Sequence, residues 1–416
     1  MKDYNVKDMK LADQGLMNIE YAESQMGALL QVQERFKKEK PFNGMKIGMA
    51  LHVTKETAVL VKALIAGGAK VAITGCNPLS TQDDVAAALA KLGVNVYAWK
   101  GESTKEYYEN LNAVLDFEPN ATIDDGCDLV TEIHLKRPQL IKDIVVGTEE
   151  TTTGVIRLRA MEKDHALKYP VVAVNDNKTK HLVDNFYGTG QSTIDGLLRA
   201  SNTLFAGKNF VVCGYGDCGK GLAQRAKGMS SNVIVCEADS FRALQASLDG
   251  FRVMPILEAA ELGDIFITVT GNKNVIRWEH MKKMKSGTIL ANSGHFDAEI
   301  DVKALKDNAK SCRRIRPQFD EYVLPNGNKI FLAGEGRLVN LAVAEGHPST
   351  VMSLSFCGQA LAVEYGVKNK LTPAVHTLPL SVDDMISDLQ LKVMGIRKDV
   401  LTEEQKKYLG SWKEGT

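Results

Sequence analysis

The sequence predicts an α/β fold with two doubly wound parallel-sheet domains and a small helical C-terminal segment. Three observations carry this: apolar runs of strand length alternate with helix-length segments through both halves, a glycine-rich turn joins a strand to a helix near the middle, and long helices take over after Gly346. Strands that read as near-continuous apolar runs are buried on both faces, as in parallel sheets covered by helices. A chain of 416 residues exceeds one ordinary core and divides into two or three domains.

The first series runs from a strand at 46–50 through a helix at 56–65, a strand at 70–73, a helix at 83–91, a strand at 94–97, a helix at 105–115 and a strand at 121–123. It contains no glycine-rich phosphate loop, so this domain, 1–190, is expected to hold something other than a dinucleotide. A hinge is expected at 188–192, and the second series begins near Ile194. There Val211-Val212-Cys213 leads into Gly214-Tyr215-Gly216-Asp217-Cys218-Gly219, a helix-permissive stretch follows at 222–227, and the strand Val233-Ile234-Val235 ends near Glu237. The first glycine permits the tight turn, the second lets backbone amides approach a pyrophosphate, and the third lets helix and strand pack closely. A carboxylate about 20 residues on accepts from an adenosine ribose and repels a 2′-phosphate, which favours NAD over NADP. An ordinary glycine-rich βα turn is the alternative, and strand, spacing and acid argue jointly against it. This second, Rossmann-like domain, 191–346, continues through 265–271 and 288–292. The first domain is Rossmann-like as well, and 347–395 is expected to complete it, with helices at 349–365 and 381–394. A short Lys/Glu-rich segment, 396–416, closes the chain. Leu354, Ala360, Leu361 and Val363 make the first of these helices apolar over much of its surface, so it should pack on a domain or a partner chain.

Hydrophobic content of 44%, charged content of 25% and zero formal net charge describe a globular protein without the basic excess that nucleic acid or an anionic membrane surface would require. No run of about 18 apolar residues could span a bilayer, and 1–5 lack an apolar secretory core. Seven scattered cysteines without a C-x-x-C pair suggest free thiols in a reducing, cytoplasmic compartment. Neither they nor the eight histidines show close metal-ligand spacing, so no metal is expected.

Three polar clusters precede the glycine loop. His52, Thr54 and Glu56 follow the first strand, and Asp125 follows a later one, at the strand ends where open α/β sheets bind ligands. Glu150 and Thr151 to Thr153 lead towards Lys180, Asp184 and Asn185. If 180–185 is helical, Lys180 and Asp184 share a face, as a surface ion pair of roughly 0.3–0.5 kcal/mol or as a buried lysine with a pKa low enough to accept a proton. His52 alone reads equally as a satisfied polar side chain, and Asp125 as a turn cap.

The strings LHVTKETAVL, GCNPLSTQDDVAAAL, DDGCDL, EETTTGV, VNDNKTKHLVDNFYGTGQS, GYGDCGKG, NSGHFDAEID and GEGRLVNLAVAEGHPS resemble, in order, the signature segments of S-adenosylhomocysteine hydrolase from about residue 45 to 355. The resemblance implies hydrolysis of S-adenosyl-L-homocysteine to adenosine and homocysteine, with tightly held NAD transiently oxidising the ribose 3′ position to allow β-elimination and water addition. It also implies Lys180 and Asp184 at the 3′-hydroxyl, Lys180 as base, Glu150 on the ribose, and His52 with Asp125 on the leaving-group side. Thr151, Thr152, Thr153 and Asn185 would meet the nicotinamide half of NAD, and Asn272, Ser293, Gly294, His295 and Asn340 complete its expected contacts. His295 also lies beside the substrate in the resemblance, His347 near the purine. Asn340 as a helix cap, and Thr151 to Thr153 as turn residues, are the plainer alternatives.

Two features depart from the commoner pattern. The sequence closes with Leu409-Gly410-Ser411-Trp412-Lys413-Glu414-Gly415-Thr416, without a Lys- and Tyr-containing tail, as in short archaeal and thermophile-type members, and Thr189 stands where many relatives have cysteine. Thr54 and Glu56 favour adenine, S-inosyl-L-homocysteine being the alternative substrate; a net dehydrogenase and a non-catalytic nucleotide sensor are the remaining classes. The resemblance further implies a homotetramer.

Overall fold

A computed structural model describes residues 3–415; Met1, Lys2 and Thr416, parts of the terminal segments read above, lie outside them. Strands β1 (Tyr4–Val6), β2 (Lys46–Ala50), β3 (Lys70–Thr74), β4 (Asn95–Ala98), β5 (Ala121–Asp124), β6 (Val146–Glu149) and β7 (Val171–Ala173) belong to one sheet. The next eight, β8 (Asn209–Cys213), β9 (Asn232–Cys236), β10 (Arg252–Val253), β11 (Ile265–Thr268), β12 (Thr288–Asn292), β13 (Ser311–Arg316), β14 (Phe319–Val323) and β15 (Lys329–Ala333), form another. The chain then returns, and β16 (Val375–His376) joins the first sheet beside β7.

The first sheet has the order β1-β4-β3-β2-β5-β6-β7-β16 and is parallel throughout. The second runs β10-β9-β8-β11-β12-β15-β14-β13, antiparallel only at β14 and β13. In the first, β1 takes an edge, and from the central β2 onwards the chain winds one way and then the other; the second does the same from β8. The crevices at the reversals, between β2 and β5 and between β8 and β11, are where such sheets take ligands.

Local chemistry agrees with these elements. Thr54 caps the helix Lys55–Ala66 by accepting from the Thr57 amide, and Ser103 with Glu106 forms a capping box on Thr104–Leu115. The helix Ser349–Lys368 buries Leu354, Phe356, Ala360, Leu361 and Val363 in the core of the first sheet. Its apolar surface is therefore covered within the chain. Two helices not read from the alternation, Ala12–Gln25 and Gly27–Glu39, bury Ile19, Leu29, Val32 and Phe36 in the same core.

The expected hinge at 188–192 falls where a π-helix, Thr179–Gly188, runs directly into the α-helix Thr189–Ser201. Gly221 of the glycine-loop helix packs so closely on it that an added Cβ would lie 1.9 Å from the Phe186 carbonyl oxygen. The turn at Gly346, with φ +86°, is a conformation suited to glycine.

Candidate active site

The ends of β2, β5 and β6 present their residues in adjacent registers, with Ala50 opposite Asp124 and Asp124 opposite Glu149. His52, Asp125 and Glu150 follow these ends and face one cavity. Thr54, Glu56, Thr151, Thr152, Lys180, Asp184, Asn185, Cys218, Ser293, His295, Asn340 and His347 line it as well. Residues of both sheets thus surround one space. Thr153, Gly214, Tyr215, Gly216, Asp217, Gly219, Glu237, Asn272 and Gly294 do not line it.

At one end the π-helix sets the geometry. Lys180 Nζ bonds both Asp184 and, at 3.1 Å, Asn185 Oδ1, a fourth- and a fifth-residue partner on one side of the same turn. Glu150 Oε1 lies 3.2 Å from the same nitrogen, and His347 Nδ1 is 2.5 Å from Asp184 Oδ1. Burial pushes the Lys180 ammonium towards neutrality, but Asp184 and Glu150 outweigh it and hold the pKa above its ordinary value. The pair is therefore neither a surface ion pair nor a lysine with a lowered pKa. Burial likewise opposes ionisation of Asp184, yet Lys180 and His347 keep its carboxyl well below the usual range. Burial raises Glu150, Lys180 offsetting part of the shift.

Glu150 is fixed by side chains far away in sequence. Ser355 donates to one oxygen, and Gln359 Nε2 donates to the other at 2.5 Å while accepting from Thr148 Oγ1 at 2.5 Å. Asn175 joins the two sides, accepting from Thr152 at 3.2 Å and from Asn185 at 3.1 Å. Asn175 opens the polar stretch that leads to Lys180 and was given no role from sequence, while Ser355 and Gln359 were not singled out at all. Only their buried hydroxyl and amide groups on an otherwise apolar helix could have signalled the last two.

At the other end His52 Nε2 lies 3.4 Å from Asp125 Oδ2, and His295 Nδ1, from the second sheet's side, 3.5 Å from Asp125 Oδ1. Burial pushes the His52 imidazole down to about 4, against the upward pull of Asp125. Its Nδ1 is 2.7 Å from Ser80 Oγ and 3.2 Å from Cys76 Sγ, the latter just beyond β3. The turn-capping role falls to Asp124, which accepts from the Val130 and Asp125 amides and is pushed up to about 7 by burial. Glu149 accepts from the Gly126 and Thr151 amides, at 2.9 and 3.0 Å. Near the purine-side candidates, Glu56 Oε1 accepts from Ser349 Oγ at 2.6 Å.

The glycine loop forms a separate cradle. Gly214 has φ +111°, an added Cβ there would meet the Val269 carbonyl oxygen at 2.8 Å, and at Gly219 it would lie 2.1 Å from the Gly214 carbonyl oxygen. Gly216 has only Arg242 nearby, at 3.6 Å, which leaves its backbone open to a ligand at the start of the helix Asp217–Gly228. Glu237 accepts from the Tyr215 amide at 2.7 Å, while the Tyr215 hydroxyl donates to Asp249. Thr153 approaches this half across the cleft, its hydroxyl 3.6 Å from a Cβ placed on Gly271. Asn272 is exposed, and its amide donates to the Thr270 hydroxyl. Thr193 and Ser293 hydroxyls meet at 2.7 Å, the Gly294 amide donates to Asn292, and Asn340 Nδ2 donates to Ser192 at 3.1 Å. Asn340 lies inside the helix Val339–Ala342 rather than capping it, and its buried Oδ1 has no partner. Thr151 precedes its helix without a side-chain cap bond.

Residues 3–146 match the family model described as S-adenosyl-L-homocysteine hydrolase, and 185–346 match that of its NAD binding domain. An S-inosyl-L-homocysteine hydrolase from Methanocaldococcus jannaschii is 59% identical over 99% of this chain and all of its own length. The chain belongs to the S-adenosyl-L-homocysteine hydrolase family. Further family members, adenosylhomocysteinases from Saccharolobus solfataricus and Aquifex aeolicus, are 58% and 56% identical over 99% and 100% of the chain and all of their own lengths. Like the family, the chain carries an NAD-binding domain. One component of the dipicolinate synthase from Bacillus halodurans, at 14% identity and TM-score 0.50, covers 78% of this chain and 99% of its own and shares the fold.

Proposed function

We propose that the chain hydrolyses S-adenosyl-L-homocysteine reversibly to adenosine and L-homocysteine, on a substrate domain of 1–190 completed by 347–395 and an NAD domain of 191–346. The observation that carries this is a single cavity with the buried Lys180–Asp184–Glu150 cluster at one end and His52–Asp125–His295 at the other. A net dehydrogenase needs only one such group.

The open backbone at Gly216 and the tight Gly214–Gly219 approach fit a pyrophosphate, with Glu237 on the adenosine ribose and Thr151 to Thr153, Asn185 and Asn340 towards the nicotinamide. Bound there, NAD supplies reversible oxidation of the ribose 3′ carbon, which acidifies the neighbouring hydrogen. Lys180 takes the 3′-hydroxyl proton once its own has passed to a neighbour, and Glu150, 3.2 Å away with its carboxyl raised by burial, is the acceptor. Asp184 holds the lysine in position. His52, neutral at working pH, and Asp125 move the protons that thiol departure and water addition require.

The inosyl substrate is the second reading. Hypoxanthine offers a carbonyl acceptor beside a ring N–H, and the Glu56 carboxylate, which lines the cavity, is an acceptor for that N–H. Thiol release from S-adenosyl- and S-inosyl-homocysteine at equal concentration tests both. Release from neither, or steady NADH accumulation with turnover, overturns the hydrolase reading.

The same reading makes the protein a cytoplasmic homotetramer. Exposed Val400, Leu409 and Trp412 support an interface near the C-terminal end, and the seven unpaired cysteines support a reducing compartment. Among the described residues no helix is long and apolar enough to cross a membrane.

A further inference from the structure

His52, Cys76 and Asp125 follow β2, β3 and β5, three adjacent strands, so the parallel sheet delivers an imidazole, a thiol and a carboxylate to one point although they are far apart in sequence. One ligand atom from each lies within 4.8 Å of the others. Asp125 Oδ2 is 3.4 Å from His52 Nε2 and 3.7 Å from Cys76 Sγ, and Cys76 Sγ is 3.2 Å from His52 Nδ1. A tetrahedral zinc ion with bonds of about 2.0–2.3 Å has ligand-to-ligand edges of about 3.3–3.6 Å. The Asp125 contact is to Nε2 and the Cys76 contact to Nδ1, so the imidazole has to turn for one of its nitrogens to share an ion with both partners.

We propose that His52, Cys76 and Asp125 form a three-ligand site for a borderline-soft divalent cation of the Zn2+ class, whose binding inhibits the enzyme by occupying the two groups assigned to the leaving-group side. The inhibition rests on the proposed hydrolase reading; the binding does not. Imidazole, thiolate and carboxylate are the ligand set zinc favours, and the cavity leaves the fourth position open to water or to a thiol. Ser80 Oγ, 2.7 Å from Nδ1, orients the imidazole as an outer partner when Nε2 takes the metal. Binding exchanges the Cys76 thiol proton for the metal: one S–H bond breaks, one S–metal bond forms, the proton goes to solvent, and no electron moves.

Co2+ is the spectroscopic probe, added to the NAD-loaded full-length protein. The expected result is a near-ultraviolet thiolate-to-cobalt charge-transfer band that saturates at one equivalent, is lost on adding Zn2+, is absent in Cys76→Ser, and persists in Cys312→Ser, which alters an exposed thiol. Half-inhibition of Cys76→Ser should need about tenfold more Zn2+ or above. A band that survives Cys76→Ser, a folded wild type without a band, or equal inhibition of both proteins would overturn the proposal. The band is read without turnover, so failure of the hydrolase reading leaves it interpretable.

Discussion

His347 Nδ1 stands 2.5 Å from Asp184 Oδ1, which places the returning C-terminal part of the chain against the π-helix that carries Lys180. Asp184 is thereby held between an imidazole and an ammonium, and Lys180 between Asp184 and Glu150. This alternation of charges makes the lysine the element to perturb.

Lys180→Arg keeps the positive charge but not a proton that can be given up at working pH. Reduction of bound NAD by adenosine or inosine, followed by NADH absorbance, is expected to fall about 10²–10⁴-fold with the fold retained. Lys180→Ala removes the charge from two buried carboxylates and should also cost about 3–5 kcal/mol of stability. Unchanged NAD reduction in the arginine variant would remove Lys180 from the base role.

Gln359→Leu strands Glu150 Oε2 and Thr148 Oγ1 without their partner. Each stranded group costs about 1–3 kcal/mol, so chemical denaturation should show a loss of that order and nucleoside binding should weaken. A midpoint equal to wild type would mean that water replaces the amide.

His52 titrates near 4 when folded against an ordinary 6.5. Between those values the unfolded chain binds more protons, so this group's contribution to stability is complete above about 6.5 and is lost as pH falls towards 4. The stability difference between His52→Asn and wild type should therefore change between about pH 7 and about pH 5, the variant declining less steeply. Parallel declines would contradict the burial of a neutral ring.

Gly221→Ala forces a methyl group onto the Phe186 carbonyl. Overpacking of this kind costs about 1–3 kcal/mol, and because the contact joins the glycine-loop helix to the π-helix, NAD retention on gel filtration should suffer. Retention equal to wild type would show that the two helices yield freely.

The strands and helices that position the site were legible because each is a local pattern: the apolar run at β8, the glycine loop and the strand-end placement of His52 and Asp125 need only neighbouring residues. The π-helix was not, since Lys180 and Asp184 are four apart in either kind of helix and only the backbone of Thr179–Gly188 shows the wider turn. Ser355, Gln359 and Cys76 escaped because their roles depend on which elements the sheet brings side by side. The lysine's raised pKa was equally hidden, for it is set by Glu150 as well as by Asp184.

The uninterrupted run from Thr179 to Ser201 also fixes a phase. Each residue of an α-helix advances about 100° around its axis. Losing one residue from the widened turn would leave both sheets intact yet swing everything beyond it through roughly a quarter revolution, carrying the nucleotide cradle away from the lysine it has to serve.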